Sequence, residues 1–232
     1  MAMTMIAAAL LAGTPAPADA RCQPLLARAV KRSTPAEVPA ACWRVGPVAL
    51  GMTEPAVEQR LGKPVASGTV GGPLRYRVAL YSFASGTNPR RIGLVELRYR
   101  GGQLAAIDTS PGARLDSDPC AGHPGRVEAG EIRVEPAAGP FGRFAGTVLG
   151  DPVSALARRF GRAPAGNRSR DWLTYLPVPI AFDADPDRGR ITGIAIATDD
   201  RALTAGALPR LRIRRDGATC RLLSIRYGVG GA

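Results

Sequence analysis

Gly51-Met52-Thr53-Glu54-Pro55-Ala56-Val57-Glu58-Gln59-Arg60-Leu61-Gly62-Lys63-Pro64 decides how this chain is built, because it holds both ends of a short helix and comes back later in altered form. Thr53 suits a helix N-cap, Glu54 sets a negative charge in the first turn, and Pro55 is tolerated where amides have no intrahelical partner. Val57 and Leu61 lie four apart on one face, and Gly62 with Pro64 stops the helix. The phrase returns 99 positions on as Gly150-Asp151-Pro152-Val153-Ser154-Ala155-Leu156-Ala157-Arg158-Arg159-Phe160-Gly161-Arg162-Ala163. Asp151 reads as the N-cap there and Pro152 as the first helical residue. Val153, Leu156, Ala157 and Phe160 form the apolar stripe, and Gly161 ends it. Glycines and apolar positions persist while the polar ones change, so the phrase is architecture rather than a chemical motif.

Strand patterns follow each phrase. Leu74 to Phe83 alternates, with Tyr76, Val78 and Leu80 on one side and Arg75, Arg77, Ala79 and Tyr81 on the other. Ile92 to Arg100 sets Val95, Leu97 and Tyr99 against Glu96, Arg98 and Arg100; Gly101-Gly102 supplies a tight hairpin, and Gln103 to Thr109 returns. After the second phrase, Trp172 to Phe182 reads as one long strand interrupted by Pro177 and Pro179, hence bulged or at a sheet edge, with Ile191 to Thr198 as its hairpin partner. A last hairpin runs from Leu211 to Tyr227, turning at Arg214 to Gly217. The expected fold is α+β: two tandem repeats of short helix packed on an antiparallel β-meander. The expected divisions are a signal peptide (1–20), an N-terminal arm with a short amphipathic helix at Gln23 to Val30 lying on the first repeat (21–43), the first repeat (44–110), a Pro/Gly-rich connection with one strand candidate at Glu131 to Val134 (111–143), and the second repeat with its hairpin (144–232).

Residues 1–20 read as a secretory signal because the apolar Ile6 to Ala12 runs into the small-residue pattern Ala18-Asp19-Ala20, and the run is too short to span a bilayer. Thr14 follows Leu11-Ala12-Gly13 where a lipid-attachment cysteine would stand. The chain is therefore expected to be periplasmic or secreted. Its formal charge is +12, and loss of residues 1–20 removes Asp19 and no base. That surplus invites an anionic partner, but the arginines are scattered and nucleic acid is rare outside the cytoplasm, so a nucleic-acid role is not expected. Cys22, Cys42, Cys120 and Cys220 make an even count in an oxidising compartment. Three connectivities are open; Cys22 with Cys42 and Cys120 with Cys220 is favoured, the first pair pinning the arm and the second tying the connection to the last strand.

Catalytic motifs are missing. His123 is the lone imidazole, placed in a Pro/Gly-rich loop, and no Gly-x-Ser-x-Gly elbow, phosphate loop or His-Glu-x-x-His occurs. No cofactor and no metal site is expected, and the chain does not read as an enzyme. Asp183, Asp185 and Asp187 alternate like the start of a calcium loop, but Arg188 and Ile194 stand where its glycine and glutamate belong, so an acidic hairpin turn is preferred. Asn167-Arg168-Ser169 is formally a glycosylation sequon. The remaining candidates are Arg75, Arg77, Tyr81, Arg98 and Arg100 with Tyr175, read as an outer sheet face of the kind favoured at protein interfaces. The oligomeric state is left open.

Leu50-Gly51-Met52-Thr53, Val57 and Leu61-Gly62-Lys63-Pro64, followed by a Tyr-containing strand and a hairpin, resemble the small envelope domain of the SmpA/OmlA (BamE) family. Two such units in tandem are similar to the β-lactamase inhibitory protein architecture. The resemblance implies helices on an antiparallel sheet and a protein-binding role, as an enzyme inhibitor or an envelope-assembly accessory. It transfers no functional residue, and the partner is unidentified. The alternative expectation is a basic adaptor for an anionic cell-envelope polymer, and the third an uncharacterised hydrolase.

Overall fold

The computed structural model describes residues 18–70, 75–84, 91–111, 114–115, 133–136, 141–205, 209–216 and 219–227. Helix α1 (Ala18–Arg32) leads into two single-turn 3-10 helices, Pro35–Glu37 and Ala40–Cys42. A miniature hairpin, β1 (Arg44–Val45) and β2 (Val48–Ala49), precedes α2 (Glu54–Leu61) and the strands β3 (Ala66–Val70), β4 (Tyr76–Ala84), β5 (Arg91–Arg100) and β6 (Gln103–Asp108). After β7 (Arg114–Leu115) and β8 (Arg133–Pro136), the same series follows: hairpin β9 (Arg143–Phe144) and β10 (Thr147–Val148), α3 (Ser154–Phe160), then β11 (Ala165–Gly166), β12 (Trp172–Thr174), β13 (Ile180–Asp185) and β14 (Arg190–Ala197). The short α4 (Asp200–Thr204) and the hairpin β15 (Pro209–Asp216) and β16 (Thr219–Tyr227) complete the described chain.

The fold is α+β, with short helices against one large antiparallel sheet. Its order, β11-β12-β13-β14-β6-β5-β4-β3, runs inward along one strand series and outward along the other, and β8 joins β5 in parallel at one end. The halves meet where β14 pairs antiparallel with β6, Ile196 opposite Ile107 and Ala195 opposite Asp108. The β15–β16 hairpin belongs instead to a separate three-stranded sheet with β7.

Both helix-opening phrases are tied to the sheet by the same bonds. Gly51 N–H donates to Leu104 O at 2.8 Å and Leu104 N–H to Met52 O at 2.8 Å; Gly150 N–H donates to Ile191 O at 2.8 Å and Ile191 N–H to Asp151 O at 2.9 Å. Thr53 bridges Gln103 as Pro152 bridges Arg190. Gly51 and Gly150 take φ of 83° and 89°, a region that costs glycine little, so each chain can leave its miniature hairpin and turn into its helix.

The two helix starts differ from expectation in detail. Thr53 is extended and stands at the N-cap of α2, but its side chain makes no capping bond. The second helix starts at Ser154. Asp151 Oδ2 instead accepts the Val148 N–H at 2.8 Å and the Arg159 guanidinium at 2.6 Å, so this carboxylate clamps hairpin to helix. Burial pushes its pKa upward, yet those two donors hold it below the usual aspartate range.

The principal core lies between the sheet and the helices. Val57, Leu156 and Phe160 pack with Leu26 and Val30 over Tyr81, Leu97, Tyr99, Leu104, Ile107, Phe182 and Ile194. Phe160 stacks at 4.9 Å from Tyr175 and 5.8 Å from Phe182. α1 is therefore part of the core and not an arm on the first half: it packs on α3, and Gln23 Nε2 donates to Arg159 O at 2.7 Å. The Cys22–Cys42 disulfide closes this segment. Cys120 and His123 lie outside the described residues, and Cys220 stands in β16 with its side chain outside them.

Trp172 to Phe182 is not one interrupted strand. β12 and β13 pair with each other, Leu173 opposite Phe182, across a turn holding a cis Leu176–Pro177 bond. Neither Pro177 nor Pro179 can donate to a ladder, so the apolar run folds back on itself. The acidic hairpin turn expected between β13 and β14 is present, with Asp185 Oδ1 accepting the N–H groups of Asp187 and Arg188 at 3.0 Å each.

Candidate functional site

The six Tyr and Arg candidates do not form one surface. Register decides this: Arg77 pairs with Tyr99, Ala79 with Leu97 and Tyr81 with Val95, so Arg77 and Tyr81 share the helix-covered face with the apolar side chains of β5. Arg98 and Arg100, one residue out of phase, occupy the opposite face. Tyr81 is 2% exposed, Arg98 2% and Tyr175 0%. Burial pushes the Tyr81 phenol up to about 12 and drives the Tyr99 and Tyr175 phenols above the usual tyrosine range. Tyr81, Arg98 and Tyr175, expected as contact residues, are thus interior groups. Arg75, Arg77 and Arg100 are exposed. Arg77 Nε donates to Glu54 at 2.7 Å, joining β4 to the first turn of α2, and Arg100 binds Asp199 at 2.7 Å beside the Tyr76 ring.

Arg98 organises the second face of the sheet. Its Nε donates to Glu96 Oε1 at 2.7 Å and its Nη2 to Asp108 Oδ2 at 3.0 Å. Its Nη1 reaches Ala202 O at 2.8 Å and Leu203 O at 2.9 Å, where a helix end presents carbonyls without intrahelical partners. The guanidinium therefore staples α4 to the sheet. Asp199 completes the staple by accepting the Ala202 N–H at 2.8 Å as N-cap, while its other oxygen holds Arg100. A floor of Ala106, Ala195 and Ala197 makes room for so much polar chemistry between sheet and helix.

Asp183 stands apart in character. It faces the same side of the sheet opposite Gly193, where a Cβ would overlap its carboxylate and the Ser110 side chain. Its Oδ2 atom is buried without a hydrogen-bond partner. Burial first, and then the Asp108 charge, push its pKa up to about 8, against a smaller opposing effect of Ser110. Asp183, Asp185 and Asp187 do not converge, and among the described residues no group of three or more His, Cys, Asp or Glu could hold a metal ion. The sequon is a closed turn: Asn167 Nδ2 and Ser169 Oγ both donate to Asp171 Oδ1.

An open concave feature lies at the seam of the two halves. Pro35, Ala36, Val38, Ala40, Trp43, Leu50 and Gly51 form one wall and Pro179, Ala197 and Thr198 the other, enclosing an apolar groove of about 470 Å³. Trp43 and Val38 are buried in its floor, while Ala36 and Ala40 are exposed on its rim. None of the six candidates lines it; Arg100 touches one residue of its wall, with Nη2 at 3.4 Å from Thr198 Oγ1. The sequence signal for this groove was faint, because its walls come from the Pro-rich arm and a distant strand end.

No family model matches this chain, and no characterised protein and no solved structure matches it. No helix among the described residues is long and apolar enough to cross a membrane.

Proposed function

We propose that this chain is an exported, non-enzymatic protein-binding module built from two copies of a hairpin, helix and four-strand unit, and that its partner seats in the groove at the seam. The observation that carries the reading is the apolar groove floored by Trp43 and walled by both halves of the chain. Such concave apolar sites with few polar groups are where partners and ligands dock, and a buried tryptophan is a favoured anchor. The Cys22–Cys42 bridge supports export, since such bonds persist in oxidising compartments. Duplication is supported by the matching hydrogen bonds of the two phrases and by the mirrored strand order. These features also support the likeness to tandem BamE-type units and to the inhibitory-protein architecture, in which a joint surface of two units grips another protein.

Ala36→Gln/Ala40→Gln would narrow the groove from its exposed rim without touching the core. A binding partner captured by the wild type from envelope extract should be lost with this variant, and the purified partner should shift Trp43 fluorescence. Capture that is indifferent to the variant, with unmoved fluorescence, would refute the groove as the contact site.

A further inference from the structure

A second face of the molecule is set apart by charge. Two strips of chain, residues 21–49 and 141–162, fold together as one layer: α1 rests on α3, β1 lies beside β9, and the disulfide ties α1 to the segment before β1. These strips hold nine Arg and Lys against two acids, Glu37 and Asp151, a surplus of seven within a chain whose whole formal charge is +12. Both acids are already engaged, Asp151 closely with Arg159 and Glu37 at 3.9 Å with Arg32. The surplus is therefore concentrated rather than spread evenly over the surface.

The cations are also aligned. At 3.6 residues per turn, Arg21, Arg28, Lys31 and Arg32 fall within roughly 100° of the α1 circumference and along about 16 Å of its axis. All four are exposed, while Leu26, Ala29 and Val30 on the opposite side are buried. Arg44 of β1 and Arg143 of β9 add exposed cations to the same layer; they occupy equivalent places in the two miniature hairpins and make no ion pair among the described residues. Unlike a solvated face with alternating signs, this one offers positive groups along one helix, of which Arg32 has a distant partner in Glu37 and Arg21, Arg28 and Lys31 make no ion pair among the described residues.

We infer that the α1–α3 layer is a binding face for a linear anionic glycan, whose carboxylates or phosphates are taken by the α1 cations. Guanidinium forks suit both groups. The exposed large apolar side chains, Val65 and Leu176, lie outside this layer, so it lacks the apolar wedge an interfacial membrane helix uses. It also lacks the exposed aromatic platforms that single-stranded nucleic acid stacks on. None of the α1 cations lines the seam groove, so either site can fail alone.

The test uses the purified full chain with polygalacturonate as probe, alongside neutral dextran, duplex DNA and phosphatidylglycerol vesicles. Wild-type protein should bind polygalacturonate at about 50 mM salt, ignore dextran and release the polymer as salt rises. Arg21→Gln/Arg28→Gln/Lys31→Gln should weaken binding by about tenfold or more and flatten the salt dependence. Arg168→Gln/Arg188→Gln/Arg201→Gln removes the same charge from exposed sites elsewhere and should change affinity by less than about threefold. Equal weakening by the two triples would reduce the effect to net charge and overturn the inference. So would no binding by the wild type, a preference for DNA or vesicles over the glycan, or binding unchanged by salt.

Discussion

Replacing Asp183 by Asn should remove a pH dependence of stability that the wild-type protein carries across the neutral range. In the folded chain burial, and then the facing Asp108 charge, push the Asp183 carboxyl up to about 8 from its ordinary 3.8. Between these values the folded state holds a proton that the unfolded state has released. Stability is then greatest in acid and falls as pH rises, by about 1.4 kcal/mol per pH unit. From pH 5 to pH 7 the loss is about 3 kcal/mol, or about 6–12 °C in Tm for a chain of this size. The carboxylates of Asp151, Asp171 and Asp199 are held below their ordinary range. Their stabilisation is lost only as pH falls below about 4, so they leave this window clear. Thermal melts at pH 5, 6 and 7 should therefore slope downward in the wild type and lie flat in Asp183→Asn, with the variant the more stable at pH 7. A slope shared by both proteins would refute the reasoning, because it would place the titrating group elsewhere.

Removing Arg98 leaves Glu96 and Asp108 buried beside each other and two carbonyls of α4 without this donor; Arg98→Met should cost about 3–5 kcal/mol in urea unfolding. Cys22→Ser/Cys42→Ser opens a loop with a sequence separation of 20 and should lower stability by about 3 kcal/mol, read as a shifted denaturant midpoint. Gly193→Ala drives a methyl into the Asp183 carboxylate and Ser110, an overpacking that should cost about 1–3 kcal/mol in the same assay. Phe160→Ala vacates the centre of the Tyr175 and Phe182 cluster, with an expected loss of about 3–5 kcal/mol.

Local chemistry in the chain was enough to determine several elements. The glycine-bracketed phrases place α2 and α3 near their observed positions, Gly101-Gly102 takes the positive φ angles of the β5–β6 turn, and the acidic turn joins β13 to β14. Each of these depends on residues within a few positions of one another. The Cys22–Cys42 pairing was legible for a similar reason, since it closes a short segment.

Tertiary structure alone decided which faces meet. Period-two alternation separates the two sides of a strand but does not say which side of one strand lies beside which side of the next. In β4 and β5 both sides are buried, so Tyr81 and Arg98, which look alike as exposed interface residues, sit in the interior on opposite faces. The same limit hid α1, whose apolar stripe reads as a loose arm until α3 is there to cover it, and α4, whose five residues are held by Asp199 and by Arg98 from a strand about a hundred positions away. The repeated phrase thus specified two helices in advance. Their joining through β6 and β14, with the groove at the seam, rests on hydrogen bonds between distant strands that no local pattern encodes.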